Sequence, residues 1–347
     1  MSAGRRLLVT GGAGFIGSNF VRLILREHPE DMVVVLDKLT YAGNRENLAG
    51  LEAQYPGRYR FVQGDIADPT VVGPLAAECE VIVNFAAETH VDRSIVDPST
   101  FLITNIMGTQ TLLDAALRTR RPGQLFLQIS TDEVYGSLTA QETPFREDSP
   151  LRPNSPYAAS KAAADLLVRS YQVTHGLPVV ITRSSNNFGP YQYPEKFIPL
   201  AITNALEQES VPLYGDGMNV RDWIYVEDNC RAIDLVSHAA TWSGAHDVPV
   251  FNIGGSSERH NIEVLKAILS ATGSLESLIR KVPNRPGHDF RYALSTEKLQ
   301  RETRWRPTRS FEQGLEQTIA WYRSHPEWWK PLKQRAAVHW LAPAKGT

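Results

Sequence analysis

The sequence predicts an α/β protein: a doubly wound parallel sheet followed by a smaller C-terminal α/β domain. Three observations carry this. Short β-rich apolar runs recur through the first half, continuous rather than alternating in polarity, and helix-patterned segments separate them. A parallel sheet covered on both faces gives this pattern. From about residue 190 the texture changes, where Pro190, Pro194, Pro199, Pro212, Gly215 and Gly217 interrupt the regular alternation.

Taken in order, residues 7–9 form a first strand that runs into Gly11-Gly12-Ala13-Gly14-Phe15-Ile16-Gly17. Phe20, Val21, Ile24 and Leu25 then recur at helical spacing. A second strand over 32–36 stops at Asp37, and further strands are expected over 60–62, 81–83, 125–129 and 179–181. Helices are expected over 109–117 and 158–171. The stretch 221–228, followed by Ala232, Ile233, Leu235 and Val236, reads as a strand and helix returning to the first domain. The predicted division is therefore 1–189 with the returning segment about 222–250, a second domain from 190–221 and 251–333, and a tail at 334–347. Trp321, Trp328 and Trp329 are expected to serve packing.

Composition narrows the function. The chain has 347 residues, with 36 Lys+Arg against 38 Asp+Glu for a net charge of −2, and is 42% hydrophobic. A near-neutral balance argues against a generally basic nucleic-acid binder and gives no attraction to an anionic membrane. Any anionic ligand must be held by a few placed groups. Only Cys79 and Cys230 occur, so neither a disulfide framework nor a metal site is expected. The apolar run at 7–9 is too short for a signal peptide, and no stretch approaches the roughly 18 apolar residues of a membrane span. A soluble, cytoplasmic protein is expected.

The spacing Gly11-x-x-Gly14-x-x-Gly17 between a strand and a helix allows a tight turn and close approach of backbone to a pyrophosphate at the helix N-terminus. Asp37 lies 20 residues beyond Gly17, where a carboxylate accepts hydrogen bonds from ribose hydroxyls and repels a 2′-phosphate. The first domain is thus read as a Rossmann domain that binds NAD rather than NADP. Asp65, Ile66, Phe85, Ala86, Ala87 and Glu88 follow the third and fourth strands. Those strand ends open into the cofactor crevice.

Tyr157 and Lys161 stand at i and i+4, on one helix face. The ammonium is expected to lower the phenol's pKa, so that Tyr157 accepts a proton from an alcohol while Lys161 also holds a cofactor ribose. The strand over 125–129 ends in Ser130-Thr131-Asp132-Glu133. Thr131 can bond a substrate hydroxyl beside Tyr157. The adjacent carboxylates of Asp132 and Glu133 can divide acid and base roles if their surroundings push their pKa values apart.

These residues, together with 37–44, 86–94, 130–136, 185–191, 194–196, 215–223 and 285–289, resemble the extended short-chain dehydrogenase/reductase superfamily, and within it the dTDP-glucose 4,6-dehydratase branch. The likeness spans about residues 5 to 333. It implies a lyase that removes water from a nucleotide-diphospho-hexose by C4 oxidation, elimination across C5 and C6, and hydride return to C6. Tyr157 would deprotonate the C4 hydroxyl with help from Thr131, Glu133 would take the C5 proton, and Asp132 would protonate the departing C6 hydroxyl. Lys38, Leu39, Thr40, Thr104 and Asn187 match further cofactor positions. Thr89, Asn186, Lys196, Phe197, Pro212, Tyr214, Arg221, Ser257, Arg285 and His288 match substrate positions, with the cations suited to a diphosphate. The resemblance also implies a homodimer joined by paired helices.

Ser256, Ser257 and Asn284 depart from the family pattern on the nucleotide side, which leaves the base and sugar preference open. An epimerase or decarboxylase could use the same Tyr-Lys pair but has no need of an acid at Asp132. A non-catalytic dinucleotide sensor on the same fold is the remaining alternative.

Overall fold

The computed structural model describes residues 4–238, 248–284 and 286–340. Its main sheet has seven parallel strands: β1 (Arg6–Thr10), β2 (Met32–Asp37), β3 (Tyr59–Gln63), β4 (Val81–Asn84), β5 (Leu125–Thr131), β6 (Val179–Ser184) and, after an excursion, Val250–Ile253. The excursion carries β7 (Asn186–Phe188), β8 (Val211–Tyr214) and β9 (Val220–Tyr225), so Val250–Ile253 is β10. Beyond it come β11 (Glu258–His260) and β12 (Ile279–Val282). The main sheet runs β3-β2-β1-β4-β5-β6-β10. This is the Rossmann order, whose direction reverses between β1 and β4.

Continuous apolar strands explain why both faces are covered. Leu7 and Val9 face one core with Phe20 and Ile24 of the helix Phe15–Glu27, and Leu8 faces the other with Leu112 and Leu113. The first crossover depends on glycine twice. Gly11 has φ +66°, and a Cβ there would lie 2.6 Å from the Ala86 nitrogen; a Cβ on Gly17 would lie 2.4 Å from the Gly11 carbonyl oxygen.

The second domain is built on two small sheets, β11-β9-β7 and β12-β8, around a separate core of Phe188, Ile202, Trp223, Leu265 and Leu315. Its crossing points differ from the sequence division by a few residues. β9 pairs with β7 and β11 rather than with the main sheet, and the return is made by the helix Val226–His238, packed on the helix Phe15–Glu27. β10, expected at the start of the second domain's later part, closes the edge of the main sheet beside β6. Residues 334–340, read as a tail, continue the helix Pro326–Trp340, where Leu332 and Ala336 pack against Tyr193. Among the described residues no helix is long and apolar enough to cross a membrane.

Candidate active site

Where the strand order reverses, the C-terminal ends of β1, β2, β4, β5 and β6 open into one cleft of about 320 Å3. Gly11, Gly14, Phe15, Ile16 and Gly17 line it from the first turn, Asp37, Lys38 and Thr40 from the end of β2, and Asp65 and Ile66 from beyond β3. Phe85, Ala86, Ala87 and Thr89 follow β4, and Thr104 and Asn187 complete this wall. Thr104 belongs to a single wide π-helical stretch, Leu102–Gly108, that precedes the helix Thr109–Arg118. Leu39 does not reach the cleft. It adopts φ +57°, packs against the core below, and donates its N–H to Asp37 Oδ1 at 2.8 Å.

These residues fit a dinucleotide. The first turn of Phe15–Glu27 carries no side-chain cap and no acidic residue, leaving its N-terminus available to an anion. Asp37 is fixed by two backbone donors, Leu39 N–H and Ala13 N–H at 2.9 Å. Burial pushes its carboxyl up while these two bonds hold it down. Lys38 pairs with Asp65 at 2.6 Å, and Asp37 lines the cleft without a cation paired to it among the described residues.

The floor of the cleft holds Thr131, Asp132, Glu133, Tyr157 and Lys161 together. β5 ends at Thr131, whose hydroxyl accepts the Glu133 N–H at 3.3 Å and caps a short 3-10 turn, Asp132–Tyr135. Ser155 caps the helix Pro156–His175, accepting the Ala158 N–H at 3.1 Å, and so fixes Tyr157 and Lys161 in its first two turns.

Asp132 is 2% exposed; its Oδ1 accepts the Thr131 hydroxyl at 3.2 Å and its Oδ2 is buried without a partner. Burial, and then the charge of Glu133, raise its pKa well above the ordinary carboxylate range, against a smaller pull from Arg221. Burial and the neighbouring Glu133 charge thus both favour the protonated form of Asp132.

The expected depression of the Tyr157 phenol is not found. Burial, and then the charges of Glu133 and Asp132, hold that phenol well above its ordinary value. Lys161 Nζ donates to the Ile129 carbonyl oxygen at 2.6 Å. Burial lowers the ammonium to about 8, with Asp165 opposing.

The rim is more dispersed. Lys196 and Asn186 line the cleft, with Lys196 Nζ donating to the Thr89 carbonyl at 3.2 Å and Asn186 Oδ1 buried without a partner. Arg221, on β9, donates to the carbonyls of Val220 and Asp289 and stacks over Tyr292 at 4.3 Å, near enough to Asp132 to act on its charge. Tyr214 and His288 meet edge-on at 5.9 Å; the Tyr214 hydroxyl donates to Asp92, and His288 Nδ1 bonds Asn284 at 2.6 Å. Phe197 stacks on Trp223, and Pro212 lies on β8 opposite Arg280. Ser257 lines a separate cavity of about 190 Å3 with Trp223, Tyr225 and Arg309, its N–H donated to Asp222 at 2.6 Å. Arg285 lies outside the described residues.

Sequence reasoning missed a group on the outer wall. Tyr41, Gln192 and Tyr193 line the cleft. Behind them the fully buried Glu195 carboxylate binds Arg93 at 3.1 Å, and Arg93 stacks on Tyr41 at 3.8 Å. Apart from Arg93, on the short helix Val91–Val96, these residues lie in irregular segments without periodicity, so only the motif text around them marked the place. Away from the cleft, His28, Asp234 and His238 bring ligand atoms within 4.8 Å of one another. The Arg5 guanidinium lies 2.5 Å from His238 Nε2.

A family model described as GDP-mannose 4,6 dehydratase matches residues 8–318. The chain is 52% identical over 332 residues to a dTDP-glucose 4,6-dehydratase of Streptomyces niveus, covering 94% of this chain and 96% of that one. It is 53% identical over 321 residues to the low-salt glycan biosynthesis protein Agl12 of Haloferax volcanii, covering 92% and 99%. Among solved structures, the dTDP-glucose 4,6-dehydratase of Streptomyces venezuelae with NAD bound superposes with a TM-score of 0.88 at 50% identity, covering 94% of this chain and 99% of that one. With this cleft, sheet order and extent of match, the chain belongs to the GDP-mannose 4,6 dehydratase family of extended short-chain dehydrogenases/reductases.

Proposed function

We infer that the chain is an NAD-dependent hydro-lyase that converts dTDP-glucose to dTDP-4-keto-6-deoxyglucose. The observation that carries this is the adjacent acid pair: a buried Asp132, whose carboxyl burial and Glu133 push well above the ordinary range, beside Glu133, both at the floor that holds Tyr157. An epimerase needs no proton donor there. The named relatives support the substrate.

NAD, held by Gly11, Gly14, Gly17, Asp37 and the strand ends after β3 and β4, supplies a hydride acceptor with a cationic ring. Tyr157 takes the proton of the C4 hydroxyl, with Thr131 bonded to the same oxygen. Burial, and then the charges of Glu133 and Asp132, oppose a phenolate at Tyr157, so positive charge beside it is part of the reaction's requirement. The C4 ketone acidifies C5, and Glu133 removes that proton. Asp132 gives its proton to the C6 oxygen, which leaves as water; C6 then regains the hydride lost from C4 and Glu133 returns a proton to C5, giving the 4-keto-6-deoxy product. Lys196 and Arg221 are assigned to the diphosphate and sugar side, together with Thr89, Asn186, Tyr214 and His288.

This reading includes a homodimer. Leu102, Ile103 and Met107 and, on the neighbouring helix, Leu166 and Val173 are each about half exposed, an apolar face for paired helices. Ile103→Glu should convert a dimer to a monomer by light scattering. A cytoplasmic location is also part of it, consistent with two buried free cysteines.

The test is incubation of the purified protein with dTDP-glucose, UDP-glucose and UDP-GlcNAc. The reading requires a product one water lighter, formed fastest from dTDP-glucose, without net reduction of added NAD. An isomer of unchanged mass would instead make this an epimerase.

A further inference from the structure

Of the three tryptophans near the end of the sequence, Trp329 serves packing: it is buried, and its indole N–H donates to the Tyr322 carbonyl of the preceding helix, Phe311–Ser324, at 2.8 Å. Trp321 likewise lies among rings, stacked on His325 at 4.5 Å. Trp328 makes a different contact. Its indole N–H leaves the helix Pro326–Trp340 and donates to Asn47 Oδ1 at 2.9 Å, 281 residues away in the chain.

Asn47 stands on the short 3-10 turn Arg45–Leu48 and is 1% exposed. Its Nδ2 donates to the Ala13 carbonyl at 2.8 Å. Ala13 lies inside the glycine turn, and its own peptide groups are both tied: the carbonyl also accepts the Asn44 N–H at 3.1 Å, and the N–H donates to Asp37 Oδ2 at 2.9 Å. That carbonyl belongs to the peptide leading into Gly14, the residue that opens the helix Phe15–Glu27. Rotating the peptide would re-aim the free N–H groups at the helix start, so its orientation bears on an anion held there. A carboxamide is planar, with acceptor and donors fixed relative to one another. The indole bond to Oδ1 therefore orients the Nδ2 that holds the turn.

A second contact leads to the same place. Trp328 packs with Tyr41 and Ala42 against the cluster of Tyr193, Leu332 and Ala336, and Tyr41, Ala42 and Gly43 line the cleft. The helix thus backs the segment 41–47 at both of its ends, while Trp328 itself lies outside the cleft wall.

We propose that Trp328, acting through Asn47, is a positioning residue for NAD: it holds the glycine turn and Asp37 in the arrangement that binds the adenosine ribose and pyrophosphate, and so couples cofactor retention to a helix far along the chain. The proposal rests on the placement of NAD in this cleft. It also answers a need of the chemistry above, because a hydride that leaves C4 and returns to C6 requires the reduced cofactor to stay bound in between.

The experiment is calorimetric titration of cofactor-stripped protein with NAD and with ADP-ribose, which keeps the adenosine ribose and pyrophosphate but lacks the nicotinamide. Trp328→Phe retains a ring and deletes the N–H donor. It should weaken both ligands by about three- to tenfold, the range of a single neutral hydrogen bond. Trp329→Phe makes the same chemical change one residue further on, where the donor serves Tyr322, and should leave both affinities at the wild-type level. In an Asn47→Ala background, Trp328→Phe should have no further effect. Unchanged affinity in Trp328→Phe, an equal loss in Trp329→Phe, or an undiminished effect of Trp328→Phe without Asn47 would each overturn the proposal. A loss for NAD without one for ADP-ribose would do the same. If Asn47→Ala does not fold, the matched pair of tryptophan variants decides. The titrations contain no nucleotide sugar, so their outcome stands apart from whether dTDP-glucose is dehydrated.

Discussion

The floor and the rim of the cleft are built by different means. Floor residues hang from strand ends and the first turns of helices: Gly11 after β1, Asp37 closing β2, Thr131 closing β5, Tyr157 and Lys161 after the Ser155 cap. Parallel register fixes their relative heights, and buried hydrogen bonds such as Thr10 to Asn84 and Asn84 to Gln128 tie the strands together below. Rim residues come from β8, β9, the 190–196 stretch and the loop after β12, and are joined mainly to one another and to backbone carbonyls. Chemistry is thereby set by the rigid scaffold, and recognition by segments that can vary without disturbing it.

Substitutions on the two sides should therefore separate cleanly. The largest effect belongs to the acid pair. Asp132→Asn should lower product formation by about 100- to 10,000-fold while still giving enzyme-bound reduced cofactor in single-turnover absorbance. Glu133→Gln should also permit oxidation but abolish exchange of the C5 proton with solvent, which Asp132→Asn retains. Wild-type turnover in both variants would remove the acids from the chemistry.

Next is Asp37→Ala, which deletes a charge-assisted contact and the acceptor for Ala13 and Leu39 N–H. NAD affinity, measured on protein stripped of cofactor, should fall by about 1.5–3 kcal/mol. On the rim, Lys196→Met should raise KM about tenfold, the equivalent of roughly 1.4 kcal/mol, with little change in kcat. A fall in kcat without change in KM would place Lys196 with the floor and blur the distinction.

The smallest effect concerns stability. Burial and Glu133 raise the Asp132 pKa above its unfolded value, so its contribution to stability is present at low pH and is lost as pH climbs through the raised value. Asp132→Asn does not titrate. Its melting temperature relative to wild type should rise with pH above about 4, and a constant difference would show that Asp132 is ionised throughout.

What the sequence revealed follows the same divide. The glycine turn, Asp37 and the Tyr157–Lys161 spacing are local signals, readable because strand, turn and helix are contiguous in the chain. The helix predicted over 109–117 was visible by periodicity, but the preceding π-helical stretch was not. There Asn105 bonds the Glu88 backbone and the Ser160 hydroxyl, contacts made across the fold. Glu195, Arg93 and Tyr41 meet only through tertiary packing. The Tyr157 phenol was misjudged for a related reason: spacing put Lys161 on the same helix face, but could not reveal that its ammonium bonds the Ile129 carbonyl or that two carboxylates and burial outweigh it.

The central claim is that one sugar is oxidised at C4 and reduced at C6 within a single site. The most direct measurement is the fate of deuterium placed at C4 of dTDP-glucose. The account predicts product carrying that label at C6, with no lasting reduction of added NAD. Label appearing in the added NAD pool, or product unlabelled at C6, would contradict it.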